Sequence, residues 1–110
     1  MTTGHFSVAT LGEQNHRFLG TGGRSQENRG AGFHPAFLDT ETRHVYPSRL
    51  RHGGYAPIHL LDGLPEQLVV ERDANGRAAA VKAGVVAGFA RDGRFYTREE
   101  AARCMTAAAR

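Results

Sequence analysis

Apolar and polar residues alternate over short runs, and the runs are separated by turn-forming residues. The run "FHPAFLD" (33–39) and the run "RHVYPS" (43–48) flank "TET", a pattern that predicts a hairpin with a short turn. Pro35 and Pro47 count against an interior sheet position for those two residues, because proline lacks a ladder N–H. "LVVERDANGRAAAVKAG" (68–84) holds the strongest hairpin signal, with Asn75-Gly76 suited to a turn that needs positive φ. "VVAGFARDGRFYT" (85–97) has two readings. Asp92-Gly93 suits a second hairpin, whereas Val81, Val85 and Phe89 recur at helical spacing. Gly84 and Gly88 weaken a helix and favour strands.

"IHLLDGLPEQL" (58–68) is punctuated by Gly63 and Pro65, which predicts a turn or a short helix opening at Pro65. From Thr97 onward the pattern is helical. Thr97-Arg98-Glu99-Glu100 has the form of a capping box, in which the threonine hydroxyl and the glutamate carboxylate each accept a backbone N–H from the other's residue. Ala101, Cys104, Met105 and Ala108 then mark one apolar face, expected to lie against Val69, Val81, Val85, Phe89 and Phe95. The first 32 residues differ. Seven of the fourteen glycines fall there, and their apolar residues keep no lasting period. The segment reads as a flexible glycine-rich arm with one short strand at 6–9, preceding a single domain at 33–110. The predicted fold is α+β: a short antiparallel sheet covered by one C-terminal helix.

Composition adds limits. The chain has 110 residues, with 40% apolar residues and no Trp, so it holds one small core at most. Small size makes dimerisation attractive. A single cysteine, Cys104, cannot form an internal disulfide framework and fits a reducing cytoplasm. No apolar run approaches a membrane span, and "MTTGHFSVAT" lacks the form of a secretory signal, so no membrane partner is expected. The net charge is +3, and Lys82 is the only lysine beside thirteen arginines. Arginine forks suit phosphate and carboxylate, but the bias also fits a GC-rich genome.

Three motifs invite chemistry. "FLDTETR" resembles the first acidic motif of DEDD-type exonucleases, in which Asp39 and Glu41 would ligate metal. The later motif of that family, His-x4-Asp or Tyr-x3-Asp, has no counterpart among Asp62, Asp73 and Asp92, so the stretch reads as a turn. His34, His44, His52 and His59 lie near Asp39, Glu41 and Asp62, and imidazole with carboxylate suits zinc. Their spacing matches no metal motif, and no metal or other cofactor is expected. "GTGGRS" lacks the lysine of a phosphate loop.

The cluster Arg43, His44, Tyr46, Arg49, Arg51, His52 and Tyr55 interleaves basic and aromatic residues. It is the candidate contact surface for a protein partner or a second copy. A nucleic acid is the alternative partner, since such loops track phosphates while rings stack on bases. "YTREEAARCM" resembles the first helix of excisionase-like and MerR-like winged helix-turn-helix domains, although the chain stops where the recognition helix would follow. A reversed arrangement would need 81–91 as a helix.

The longer pattern "GFHPAFLDTETRHVYPSR", "APIHLLDGLPEQLV" and "GFARDGRFYTREEAA" resembles small uncharacterised proteins of proteobacterial mobile and integrative elements. That resemblance implies an accessory or regulatory role and transfers no site residue. The sequence thus points to a non-enzymatic binding or regulatory module, with a nucleic-acid-binding regulator second and a metal-dependent hydrolase or nuclease third.

Overall fold

In a computed structural model, residues 6–50 and 52–108 are described. Strand β2 (His34–Asp39) and strand β3 (His44–Pro47) form the expected hairpin, with Asp39 opposite His44 and Ala36 opposite Pro47. The turn between them puts Arg43 at φ 65 and returns its N–H to the Asp39 carbonyl at 2.7 Å. The central partner of β2 comes from far along the chain. Strand β6 (Val85–Arg91) pairs antiparallel with β2 from His34↔Ala90 to Asp39↔Val85.

Strand β7 (Arg94–Thr97) then pairs with β6 through an Asp92-Gly93 turn. Both turn residues have positive φ, 54 and 78, which matches the twist a tight hairpin requires. Residues 81–91 therefore hold strand rather than helix, and the reversed helix-turn-helix arrangement is excluded. The four strands order as β3-β2-β6-β7.

A second, three-stranded sheet orders as β1-β5-β4. It comprises β1 (Phe6–Ser7), β4 (Val69–Arg72) and β5 (Ala78–Val81). The Asn75-Gly76 turn joins β4 to β5 as expected, and the ladder shifts register twice along β4. Single 3-10 turns at Leu61–Gly63 and Glu66–Leu68 fill the stretch before it. The fold is α+β, with two small sheets where the pattern suggested one.

The C-terminal helix packs on the larger sheet, as expected; with α1 and α2 described below, it is α3 (Arg98–Ala108). The capping box is made in full: Glu100 N–H reaches Thr97 Oγ1 at 3.1 Å, and Thr97 N–H reaches Glu100 Oε1 at 2.8 Å. Of its expected partners Phe89 is met, whereas Phe95 belongs to neither core cluster. Ala101, Cys104 and Met105 pack with Phe33, Phe89 and Tyr96. Val69, Val81 and Val85 belong instead to a larger cluster around Phe37, with Phe6, Leu11, Leu61, Leu64 and Leu68. Phe37 is fully buried, and truncating such a phenylalanine to alanine costs about 3–5 kcal/mol.

Residues 6–32 depart from the expectation of a flexible arm outside the domain. The short strand is present, but it is followed by helix α1 (Val8–Arg17), capped by Ser7, whose Oγ accepts the Thr10 N–H at 3.2 Å. Leu11 and Phe18, two turns apart, are its buried apolar contacts, too narrow a stripe to register as a period. The glycine patch is organised by the short helix α2 (Ser25–Asn28). The Glu27 carboxylate accepts the N–H groups of Gly20 and Gly22 at 2.7 and 2.8 Å, and buried Asn28 donates to the Gly22 carbonyl at 2.9 Å. This loop cradles an anion, but that anion is the chain's own side chain.

Candidate functional site

In an antiparallel ladder, residues directly opposite share a face and neighbours alternate. This rule divides the larger sheet. Phe37, Tyr46, Val85, Ala87 and Phe89 point inward, toward the two core clusters. The outer face is built of three rows. The first row is Val86, Leu38 and Val45; the second is Thr97, Gly88, Ala36 and Pro47; the third is Phe95, Ala90 and His34. None of these residues belongs to either core cluster, and Leu38, Val45, Val86 and Phe95 stay part-exposed.

The third row continues beyond the named strands. Ser48 N–H reaches the Pro35 carbonyl at 2.8 Å, which brings Arg49 beside His34, and Arg49 bridges in turn to Tyr55. Tyr55 is 64% exposed. Its ring stacks on His34 at 6.0 Å, and the Arg49 guanidinium lies 4.8 Å from the same ring. Arg49 also donates to the Gly53 carbonyl at 2.7 Å. No acidic residue occupies the strand positions of this face.

The predicted cluster is therefore split. Arg49 and Tyr55 join the outer face. His44 and Tyr46 sit on the opposite side of β3 with rings 4.3 Å apart, and Tyr46 packs against the core around Phe37. Arg43 is in the turn, and His52 accepts the Gly54 N–H on Nδ1 at 3.3 Å. Arg51 lies outside the described residues. Leu38, Val45 and Val86 are the members that a reading by charge and aromaticity passes over. Their signal is the near-unbroken apolar runs "PAFL" and "VVAGFA", which are typical of strands apolar on both faces.

The acidic motif has a different use. Asp39 is buried, and its carboxylate takes the Glu41 N–H at 2.9 Å and the Lys82 ammonium at 2.9 Å; Glu41 also reaches Lys82. The hydrogen bond from Lys82 holds the Asp39 carboxyl below its usual range despite burial, and Glu41 and then Asp39 raise Lys82. The single lysine thus stands where the nuclease reading would place a metal. Among the described residues, no three His, Cys, Asp or Glu side chains gather in a way that could hold a metal ion.

His59 is buried between Phe37 and Phe89, with ring centroids 5.3 and 5.2 Å away. A carbonyl only accepts and a guanidinium only donates. His59 therefore donates Nε2–H to the Gly88 carbonyl at 2.6 Å and accepts from Arg98 on Nδ1 at 3.3 Å. Burial, then the Arg98 charge, lower its pKa to about 4.

A cleft of about 580 Å³ runs between the loop at 49–62 and the β4–β5 hairpin, with Val8, Leu11, Leu60 and Leu61 among its walls. Its carboxylates serve the framework. Asp62 accepts the Ala78 N–H at 3.0 Å and faces Arg77 at 3.8 Å; Asp73 accepts the N–H groups of Asn75 and Arg77.

No protein-family model, curated protein or solved structure matches the chain. Among the described residues, no helix is long and apolar enough to cross a membrane.

Proposed function

We propose that this chain is a binding module that docks a protein partner on the outer face of the four-stranded sheet, rather than a catalyst. One observation carries the reading: both faces of β2 and β6 are apolar, and on the outer one Ala36 and Gly88 are covered while Leu38, Val86 and Ala90 stay part-exposed. An antiparallel sheet with one solvated face ordinarily carries polar residues there. Apolar patches of a few hundred Å² mark interaction sites.

The occupant is a partner with an apolar centre and a carboxylate-bearing margin, which would meet His34, Arg49 and Tyr55. Four strands about 4.8 Å apart, with rows spanning about 20 Å, give roughly 400 Å². Self-pairing offers Arg49 no carboxylate from the same face. The nucleic-acid reading retains the cation–ring contacts of Arg49, but its phosphate-binding strength is divided between the sheet's two sides.

The test places a photo-crosslinking phenylalanine analogue at Phe95, on the face itself, and compares capture by that sequence alone and with Leu38→Lys, Val45→Lys and Val70→Lys. Val70 is exposed on the other sheet. Capture of one defined partner that is lost in the first two variants and kept in Val70→Lys is the expected result. Equal capture in all four overturns the reading. A dimer that dissociates in Leu38→Lys would replace the foreign partner with a second copy. Salt-dependent binding of random duplex lost in Arg49→Gln would replace it with nucleic acid.

A further inference from the structure

Arg98 opens α3, but its side chain turns inward and is only 2% exposed. Its guanidinium donates to the Gly23 carbonyl at 2.9 Å, Asn15 Oδ1 at 2.9 Å and His59 Nδ1 at 3.3 Å. All three acceptors are neutral. Among the described residues no carboxylate is within ion-pair distance of Arg98, and its Nε has no partner. A buried cation without an anion is strongly disfavoured. Burial first, then repulsion from Arg24 and Arg17, lower its pKa to about 10. The charges of Arg24 and Arg17 thus add to a buried cation that already lacks a counter-ion.

A cavity of about 190 Å³ is lined by Arg98 together with Gln14, Arg17, Phe18, Thr97 and Glu99, and by Val86 and Ala87. Pockets for drug-sized ligands begin near about 300 Å³, so this one suits a small ion. Gln14 Oε1 is buried without a donor. Turned over, the same amide offers an N–H to the cavity, because amide oxygen and nitrogen are assigned by their surroundings. The N-terminal end of α3 adds its partial positive charge. The one opposing group is Glu99, which sits 3.7 Å from Arg17 with both side chains largely exposed.

We propose that this cavity is a binding site for a small oxyanion of the phosphate type, held between Arg17 and Arg98, with Glu99 as its competitor for Arg17. Paired N–H donors of guanidinium fit such oxygens. The site borders the outer sheet face at Val86 and Thr97 but does not depend on the docking reading.

The test is a titration of the full chain with inorganic phosphate at constant ionic strength, followed by amide and arginine side-chain resonances. Saturable shifts confined to Gly23, residues 97–100 and the Arg98 Nε–H are expected. Arg17→Gln should weaken binding at least about tenfold, the loss expected for a charge-assisted pair. Glu99→Gln should tighten it, a gain that a purely structural role for these residues would not produce. Both positions are exposed, so both variants should fold. Absence of a saturable shift, shifts centred elsewhere, or unchanged affinity in both variants would overturn the site. Acetate is the planar comparison, and binding equal to that of phosphate would overturn the phosphate-type assignment.

Discussion

Arg98 and His59 hold each other in one protonation state. Arg98 can only donate, so His59 Nδ1 must stay bare; the Gly88 carbonyl can only accept, so His59 Nε2 must carry the proton. This contact ties the first residue of α3 to the loop at 55–60 and to the middle of β6.

Stability should therefore fall on mild acidification. The folded pKa of His59, about 4, lies below its ordinary 6.5. The unfolded chain takes up a proton that the folded chain refuses, so the contribution is complete above pH 6.5 and is lost as pH falls toward 4. The full loss is about 3 kcal/mol. Urea unfolding at stepped pH should show this slope, and His59→Gln should remove it.

Gly88→Ala should destabilise the domain by about 1–3 kcal/mol, the usual cost of overpacking. A Cβ there would strike the Tyr96 carbonyl oxygen, and Phe95 Cζ at 2.5 Å. Phe95 can swing away, but the carbonyl belongs to β7 and is fixed by the ladder. A lower urea midpoint with an unchanged slope would confirm the effect; an unchanged midpoint would refute the close packing of β7 on Gly88.

Lys82→Met should remove the main cause that holds the Asp39 carboxyl low, leaving burial opposed by the backbone N–H groups of Glu41 and Thr42. At present its contribution is present above its unfolded value near 4 and is lost as pH falls through the lower folded value. Lys82, raised in the fold, contributes below about 10.4 and loses that contribution as pH rises further. The pair is thus insensitive to pH in the neutral range. In the variant, the Asp39 carboxyl resonance should titrate higher than in the unaltered chain, and acid stability should shift accordingly.

Thr97→Ala should cost about 1 kcal/mol, as for other N-caps. Because Thr97 and Glu100 act reciprocally, the double variant with Glu100→Ala should lose less than the two single losses together. Denaturation of the four proteins of this cycle measures the coupling directly.

Much of the β-structure was legible because its turns announce themselves. Asn75-Gly76, Asp92-Gly93 and the box at Thr97–Glu100 are local devices, and local chemistry decides them. The N-terminal helix was not legible, because Leu11 and Phe18 bury a stripe too narrow to register against Gly12 and the polar residues between them. The candidate surface was half legible. Arg49 and Tyr55 were found by type, but Arg49 comes beside His34 only through the β2–β3 register, and strand alternation sends His44 and Tyr46 to the other side. Residue type alone could not foresee that Asp39 and Glu41 share Lys82, since β2 and β6 must first pair to bring them together.

That pairing has a kinetic consequence. Thr40 bonds the Gly84 carbonyl across 44 positions, and the β2–β6 ladder it adjoins is the centre of the larger sheet. Each hairpin can close early, but the central ladder must wait for the intervening segment to be gathered in. Such long closure slows folding relative to chains with mainly local contacts. The slow step of refolding should therefore be the meeting of β2 with β6, and weakening Val85 or Phe37 should retard it more than any change in the β4–β5 turn.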